Sequence, residues 1–186
     1  MRVSRSFVFL DLCGFTAYTE SRGDREAVAI VALLRSTLRT SAERHGVRVT
    51  KWLGDGAMLS GLDPRHVAAC AVEARDALAA QSPLPLRGGL AEGTVIMFEG
   101  DDYIGAAVNT AARLAAAAGP NQLLAAAPFA LAVQDIVAGR PWQELVLRGL
   151  GEAVPVCDLG AALPEREEPG DGVPPARLAL AEVVGA

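Results

Sequence analysis

Aromatic side chains make up only 5% of the 186 residues, histidine occurs twice and cysteine three times. Chemistry that relies on clustered imidazoles or thiols is therefore poorly supplied. Cys13, Cys70 and Cys157 are widely separated, odd in number and without metal-ligand spacing, a usage expected of reduced core thiols in a cytosolic compartment. His45 and His66 fall on helix peripheries, and neither pairs with a serine or cysteine as a nucleophile's base. Basic charge is not in excess: the formal net charge is −5, which argues against nucleic acid or an anionic membrane surface as the main partner. No apolar run approaches the ~20 residues of a membrane span. The chain opens on a strand-like segment instead of a signal-peptide pattern. A cytoplasmic protein is expected, without internal repeats.

What the sequence does hold is 51% hydrophobic residues, enough for the core of one ordinary domain. Within that apolar background a few charges stand out. Val49–Ser60, VTKWLGDGAMLS, reads as a β-hairpin, because Gly54 and Gly56 supply the backbone freedom of a tight turn. It carries Lys51 inside the first strand and Asp55 at the tip. Asp55 is either a turn former or a ligand, since buried charge is costly without a partner. Ser6–Leu12, SFVFLDL, reads as a central strand with one carboxylate, Asp11, again either a turn former or a metal ligand. Strand ends present both carboxylate and carbonyl oxygens, the donors that hard divalent cations take, so the Leu12 carbonyl joins the candidates. Gly14-Phe15-Thr16 forms a small turn leading into a helix, where backbone N–H groups can hold phosphate oxygens.

Apolar spacing predicts a long amphipathic helix over Asp24–His45, ended by Gly46. Arg35, Arg39, Glu43 and Arg44 fall mostly on its wet side and receive no function. A second helix starts at Pro64 with Asp63 as N-cap and runs to about Gln81. Leu86–Met97 is strand-like, with Arg87 at its entry. After an acidic turn, a helix over Ala106–Ala117 carries Asn109 and Arg113 four residues apart. Standing alone on the inner face of an alanine-rich helix, they are either interface partners or ligand donors. A short strand at Gln122–Ala125, a helix over Ala127–Val137 and two strands at Trp142–Leu147 and Ala153–Leu159 follow. Arg148 sits between the last two beside glycines, a phosphate-friendly combination. Residues 161–186 are expected to form a flexible tail, with Ala176–Val184 able to make a short amphipathic helix.

The segments FLDLCGFTAYTE, VTKWLGDGAML, LRGGLAEGTV, DDYIGAAVNTAARL and LRGLGEAVPV, in this order, resemble the class III nucleotidyl cyclase catalytic domain over residues 6–158. The resemblance implies an α+β fold: a ferredoxin-like βαββαβ core sheet with helices packed on one face, and C-terminal strand and helix additions, in residues 1–160. It implies that Asp11, the Leu12 carbonyl and Asp55 hold two Mg²⁺ or Mn²⁺ ions. It places Lys51 and Asp102 at the purine-selecting positions, Asn109 and Arg113 at those that orient the ribose and stabilise the α-phosphate, and Arg148 where a lysine usually meets the terminal phosphates. Gly14, Phe15, Thr16 and Arg87 are further phosphate candidates. A lysine donor with an aspartate acceptor matches adenine, whereas the resembling guanylyl enzymes carry Glu at the first position. The implied activity is conversion of ATP to cyclic AMP and pyrophosphate. The implied assembly is a homodimer with two interfacial sites, each taking Asp11 and Asp55 from one subunit and the remaining residues from the other. A catalytically silent nucleotide-sensing or partner-binding module is the alternative.

Overall fold

The computed structural model describes residues 1–100, 102–147 and 152–162. In chain order the elements are β1 (Arg2–Leu12), α1 (Phe15–Arg22), α2 (Asp24–His45), β2 (Arg48–Trp52), β3 (Gly56–Gly61), α3 (Pro64–Ala79) and β4 (Leu86–Phe98). Then come β5 (Asp102–Ile104), α4 (Ala106–Ala117), β6 (Leu123–Ala126), α5 (Ala127–Ala132), β7 (Val137–Gly139), β8 (Gln143–Val146) and β9 (Ala153–Ala162). The helix expected over Ala127–Val137 stops at Ala132, and its last residue instead opens the short strand β7. β9 runs to Ala162, two positions into the expected tail; residues 163–186 lie outside the described residues.

The sheet order is β2-β3-β1-β4-β6-β9-β7, with β5 pairing β4 and β8 pairing β9. In the order β2-β3-β1-β4 each adjacent pair of the first four strands is antiparallel, and with the helices between them they make the expected βαββαβ core. The middle of β1, Phe7–Leu10, is apolar because it is covered on both faces. Val8, Leu10 and Leu12 pack with Leu34 and Leu38 of α2 and with Val67, Ala71 and Leu78 of α3. The alternate residue Phe7 faces the other way, into a second core with Met58, Tyr103, Ala111 and Leu114. Period-two alternation thus splits one strand between two cores. The core helices α2 and α3 share one face, as implied, and the added helix α4 covers the other. α4 lies against β4 because Gly89 has no side chain: a Cβ there would collide with the backbone of Ala111 and Ala115.

Local signals set the helix ends. Asp63 caps α3 by accepting from the Arg65 N–H at 2.8 Å. Gly46, at φ 63°, closes α2 with its N–H on the last-turn carbonyls. Gly23, at φ 83°, separates α1 from α2, which has the bounds Asp24–His45 expected of it. Among the described residues no helix is long and apolar enough to cross a membrane.

Candidate active site

Asp11 is the penultimate residue of β1, directly opposite Gly56 of β3 on one side and Arg87 of β4 on the other. The β2–β3 turn is tight: Gly54 adopts φ 72°, and the Leu53 N–H donates to the Gly56 carbonyl at 2.9 Å. The Leu12 N–H then donates to the Asp55 carbonyl at 3.2 Å, fixing the hairpin tip beside the end of β1. Gly56 makes this approach feasible. A Cβ on it would lie 2.6 Å from the Leu10 carbonyl oxygen and 3.1 Å from Asp11 Oδ1. Asp11 and Asp55 are therefore neighbours, although distant in sequence. Leu12 buries its side chain in the core, so only its carbonyl is available as a ligand.

Burial pushes the Asp55 carboxyl above its ordinary range; the Asp11 charge adds to this, while a backbone hydrogen bond and Arg87 oppose it. Arg87 places Nη2 at 2.7 Å and Nε at 3.1 Å from Asp11 Oδ2, and Nη1 donates to the Ala116 carbonyl of α4 at 3.4 Å. That contact with Asp11 holds the guanidinium's pKa above its usual value. The implied dimer takes Arg87 with the donors of the opposite subunit. Within this chain it is instead the partner of the carboxylate, because β1–β4 register sets the two residues face to face. Gly14, at φ 76°, precedes α1, and the first-turn N–H groups that include Phe15 and Thr16 have no intrahelical acceptors. They follow the carboxylate strand end directly.

A second group forms elsewhere. The Lys51 ammonium lies 3.6 Å from the Asp102 carboxylate. Asp102 is oriented by the Tyr103 N–H, which donates to Oδ1 at 3.1 Å, and Tyr103 packs edge-on against Phe7 at 5.2 Å between centroids. Next to Lys51, Trp52 receives the guanidinium carbons of Arg35 and Arg39 at 5.2 Å and 5.4 Å from its ring centroid. These two α2 cations bind the helix to β2. Arg and Trp in the same chain gave no hint of the contact, because it is non-local.

α4 buries Ala107, Ala111, Leu114 and Ala115 against the sheet, so Asn109 and Arg113 are not on its inner face as expected: Asn109 is exposed and Arg113 half-buried. Helical spacing fixes which residues share a side but not which side meets the core. Among the described residues, no hydrogen bond or ion pair joins the Asp11–Arg87 group to the Lys51–Asp102 group, or either to Asn109 or Arg113. Arg148 lies outside the described residues.

The Asp11 side faces a small cavity of about 160 Å³ lined by Phe9, Asp11, Gly56, Arg87 and Ala116 among others. A larger cleft of about 730 Å³ between α2 and α3 contains none of the candidate residues. Two carboxylates and a strand-end carbonyl are hard oxygen donors, and a cation beside them would offset the like-charge effect on Asp55. Among the described residues no three His, Cys, Asp or Glu gather, so the protein alone does not close a coordination sphere. That suits Mg²⁺ or Mn²⁺, which take one or two carboxylates and complete their shell with water and substrate phosphates. The residues fit such an ion.

The chain superimposes on a crystal structure of a guanylyl cyclase with a TM-score of 0.79 at 21% identity, covering 90% of this chain and 96% of that one. It superimposes on the adenylyl cyclase CyaB from P. aeruginosa with a TM-score of 0.75, again at 21% identity, covering 90% and 97%. The fold is that of a nucleotidyl cyclase catalytic domain. A rhodopsin-guanylyl cyclase core with converted specificity, solved with ATPαS, is similar at a TM-score of 0.79 and 18% identity over 88% of this chain and 98% of that one. The cyclase fold thus accommodates either base, and likeness of fold does not choose between them. No protein-family model matches the chain. Uncharacterized proteins of Mycobacterium tuberculosis and Mycobacterium bovis are 38% identical over 120 residues, 64% of this chain and 32% of theirs. The chain therefore spans about a third of the length of these curated relatives.

Proposed function

We propose that this cyclase-fold chain is an adenylyl cyclase, forming 3′,5′-cyclic AMP and pyrophosphate from ATP. The observation that carries the reading is the Lys51–Asp102 pair, a donor and an acceptor held 3.6 Å apart and half exposed. Lys51 donates to the acceptor N1 of adenine and Asp102 accepts from the N6 amine; guanine offers the reverse pattern at both atoms. Asn109 orients the ribose, and Arg113 stabilises charge developing on the α-phosphate. A preorganised donor of this kind contributes roughly 10²- to 10³-fold in rate. Arg87, Arg148 and the N–H groups of Gly14, Phe15 and Thr16 meet the remaining phosphates. Two Mg²⁺ or Mn²⁺ ions, held by Asp11, the Leu12 carbonyl and Asp55, would supply Lewis-acid polarisation of the phosphates and of the ribose hydroxyl. In the reaction the 3′-oxygen bonds to the α-phosphorus, the bond to the β-phosphate oxygen breaks, and the hydroxyl proton passes to solvent.

The active form in this reading is a homodimer. One site takes Asp11, Asp55 and Arg87 from one subunit and Lys51, Asp102, Asn109 and Arg113 from the other. The exposure of Ile96, Phe98 and Ile104 on the β4–β5 hairpin supports it, an apolar set that association would cover.

The deciding experiment measures cyclic nucleotide from ATP and from GTP, with Mg²⁺ and with Mn²⁺, for the wild type beside Asp11→Ala. Cyclic AMP from ATP alone, lost in the variant, is the expected result. Nucleotide binding without product under either metal would instead assign a silent nucleotide-sensing module.

A further inference from the structure

We propose that Arg87 is a latch on the metal-binding carboxylate. Its guanidinium occupies Asp11 Oδ2, so a divalent cation binds well only when an anionic polyphosphate draws Arg87 away. The inference rests on the reading of Asp11 and Asp55 as metal ligands. Three features of the geometry carry it. Nε and Nη2 converge on the same Oδ2 of Asp11 at 3.1 Å and 2.7 Å, occupying an oxygen that a cation needs. The direct Asp11–Arg87 register between β1 and β4 fixes both backbones, so only the side chain has to move. The third nitrogen, Nη1, donates to the carbonyl of Ala116 in the last turn of α4, which holds the closed position from a second element.

Arginine stays protonated throughout the physiological range, so neutralisation cannot open the latch. A competing anion can. Phosphate oxygens offer the guanidinium the same forked acceptor geometry as a carboxylate, with more charge. Once Arg87 turns to them, Asp11 Oδ2 is free and the positive charge that repels an incoming cation has moved off the carboxylate. Metal and polyphosphate therefore favour each other's binding through one side chain, as linkage requires of two ligands that compete with the same contact. Arg87 acts in this as a positioning residue for the metal, separate from any contact it makes with substrate during turnover.

The test measures Mn²⁺ binding to the full chain without nucleotide, from the electron paramagnetic resonance signal of the free ion. Arg87→Gln should bind Mn²⁺ about tenfold more tightly than wild type, the size expected on releasing a charge-assisted hydrogen bond. Arg87→Lys, which keeps the charge but loses the fork, should fall between them. A second arm uses inorganic tripolyphosphate and chelator-treated protein: Asp11→Asn, which frees Arg87, should bind the anion several-fold more tightly than wild type. Mn²⁺ affinity that is unchanged or weaker in Arg87→Gln overturns the latch and leaves a structural strand-to-strand ion pair. Absence of Mn²⁺ binding in both wild type and Arg87→Gln overturns the latch together with the metal reading.

Discussion

Lys51 and Asp102 face each other at 3.6 Å although they sit on β2, at one end of the sheet, and on β5, paired to the far half of β4. Such a pair has little to do for the fold. Both side chains are about half exposed, and exposed ion pairs contribute roughly 0 to 1 kcal/mol. A contact that is cheap to lose structurally and placed by two distant elements is well suited to reading a ligand.

Lys51→Ala should therefore leave the thermal midpoint within a few degrees of wild type while lowering kcat/KM for ATP by about 10- to 10²-fold, the loss of one charge-assisted hydrogen bond. Lys51→Glu should lower ATP use further and raise the GTP-to-ATP ratio, because a carboxylate accepts from the guanine N1–H. Calorimetry and paired product assays check both. An equal loss for ATP and GTP in Lys51→Ala would remove this residue from base selection.

Gly56→Ala tests the hairpin tip. The new Cβ would stand 2.6 Å from the Leu10 carbonyl oxygen and 3.1 Å from Asp11 Oδ1, so β3 must shift away from β1. Overpacking of this kind typically costs about 1–3 kcal/mol. Because the displaced strand carries Asp55 at its entry, Mn²⁺ affinity should fall along with stability. Urea unfolding and metal titration of the same preparation measure the two losses.

The sequence made the carboxylates conspicuous for a physical reason: Asp11 stands in an apolar strand and Asp55 at the tip of a largely apolar hairpin, and an isolated charge in such a run needs a partner. The apolar periods of α2 and α3 and the compact apolar run in β1 are local, so those elements were legible one by one, while their βαββαβ arrangement came from the family resemblance. Register is not local, and what depends on it was hidden. Nothing in LRGG announces that Arg87 stands opposite Asp11, and nothing near Trp52 announces the stacking of Arg35 and Arg39. The same limit inverted α4. Four-residue spacing put Asn109 and Arg113 together, but their side relative to the sheet was decided by Gly89 and the alanines that pack there. β5 and β7 escaped notice because a strand of three residues has too little pattern to read.

On the opposite face of the sheet, Glu73 of α3 accepts from Arg44 at 2.6 Å and meets His45 at 2.8 Å, tying α3 to the end of α2. Burial tends to raise the Glu73 carboxyl, but these two partners outweigh it and hold the pKa below its ordinary value of 4.5. The stabilisation is therefore present above pH 4.5 and is lost as pH falls through the lowered folded value. With Arg44 largely exposed, the net effect is at most about 1 kcal/mol at neutral pH. Glu73→Gln should unfold a few degrees earlier than wild type at pH 7, and the two melting curves should converge when the scans are repeated in strong acid. A gap that widens on acidification would contradict the assignment.

Complementation tests the sharing of sites between subunits most directly. Asp11→Ala removes a residue from the metal half of every site, and Arg113→Ala removes one from the nucleotide half, so each homodimer should be inactive. In a mixed dimer the two lesions meet in one site and leave the other intact. Random exchange of equal amounts makes half of the dimers mixed, each with one working site of two, so about a quarter of wild-type turnover should return. Mixing should have to precede activity by the time that subunits take to exchange, and covalently linked homodimers of each variant should not recover. If the mixture remains as inactive as its parts while size-exclusion chromatography shows that exchange has occurred, both halves of a site belong to the same chain.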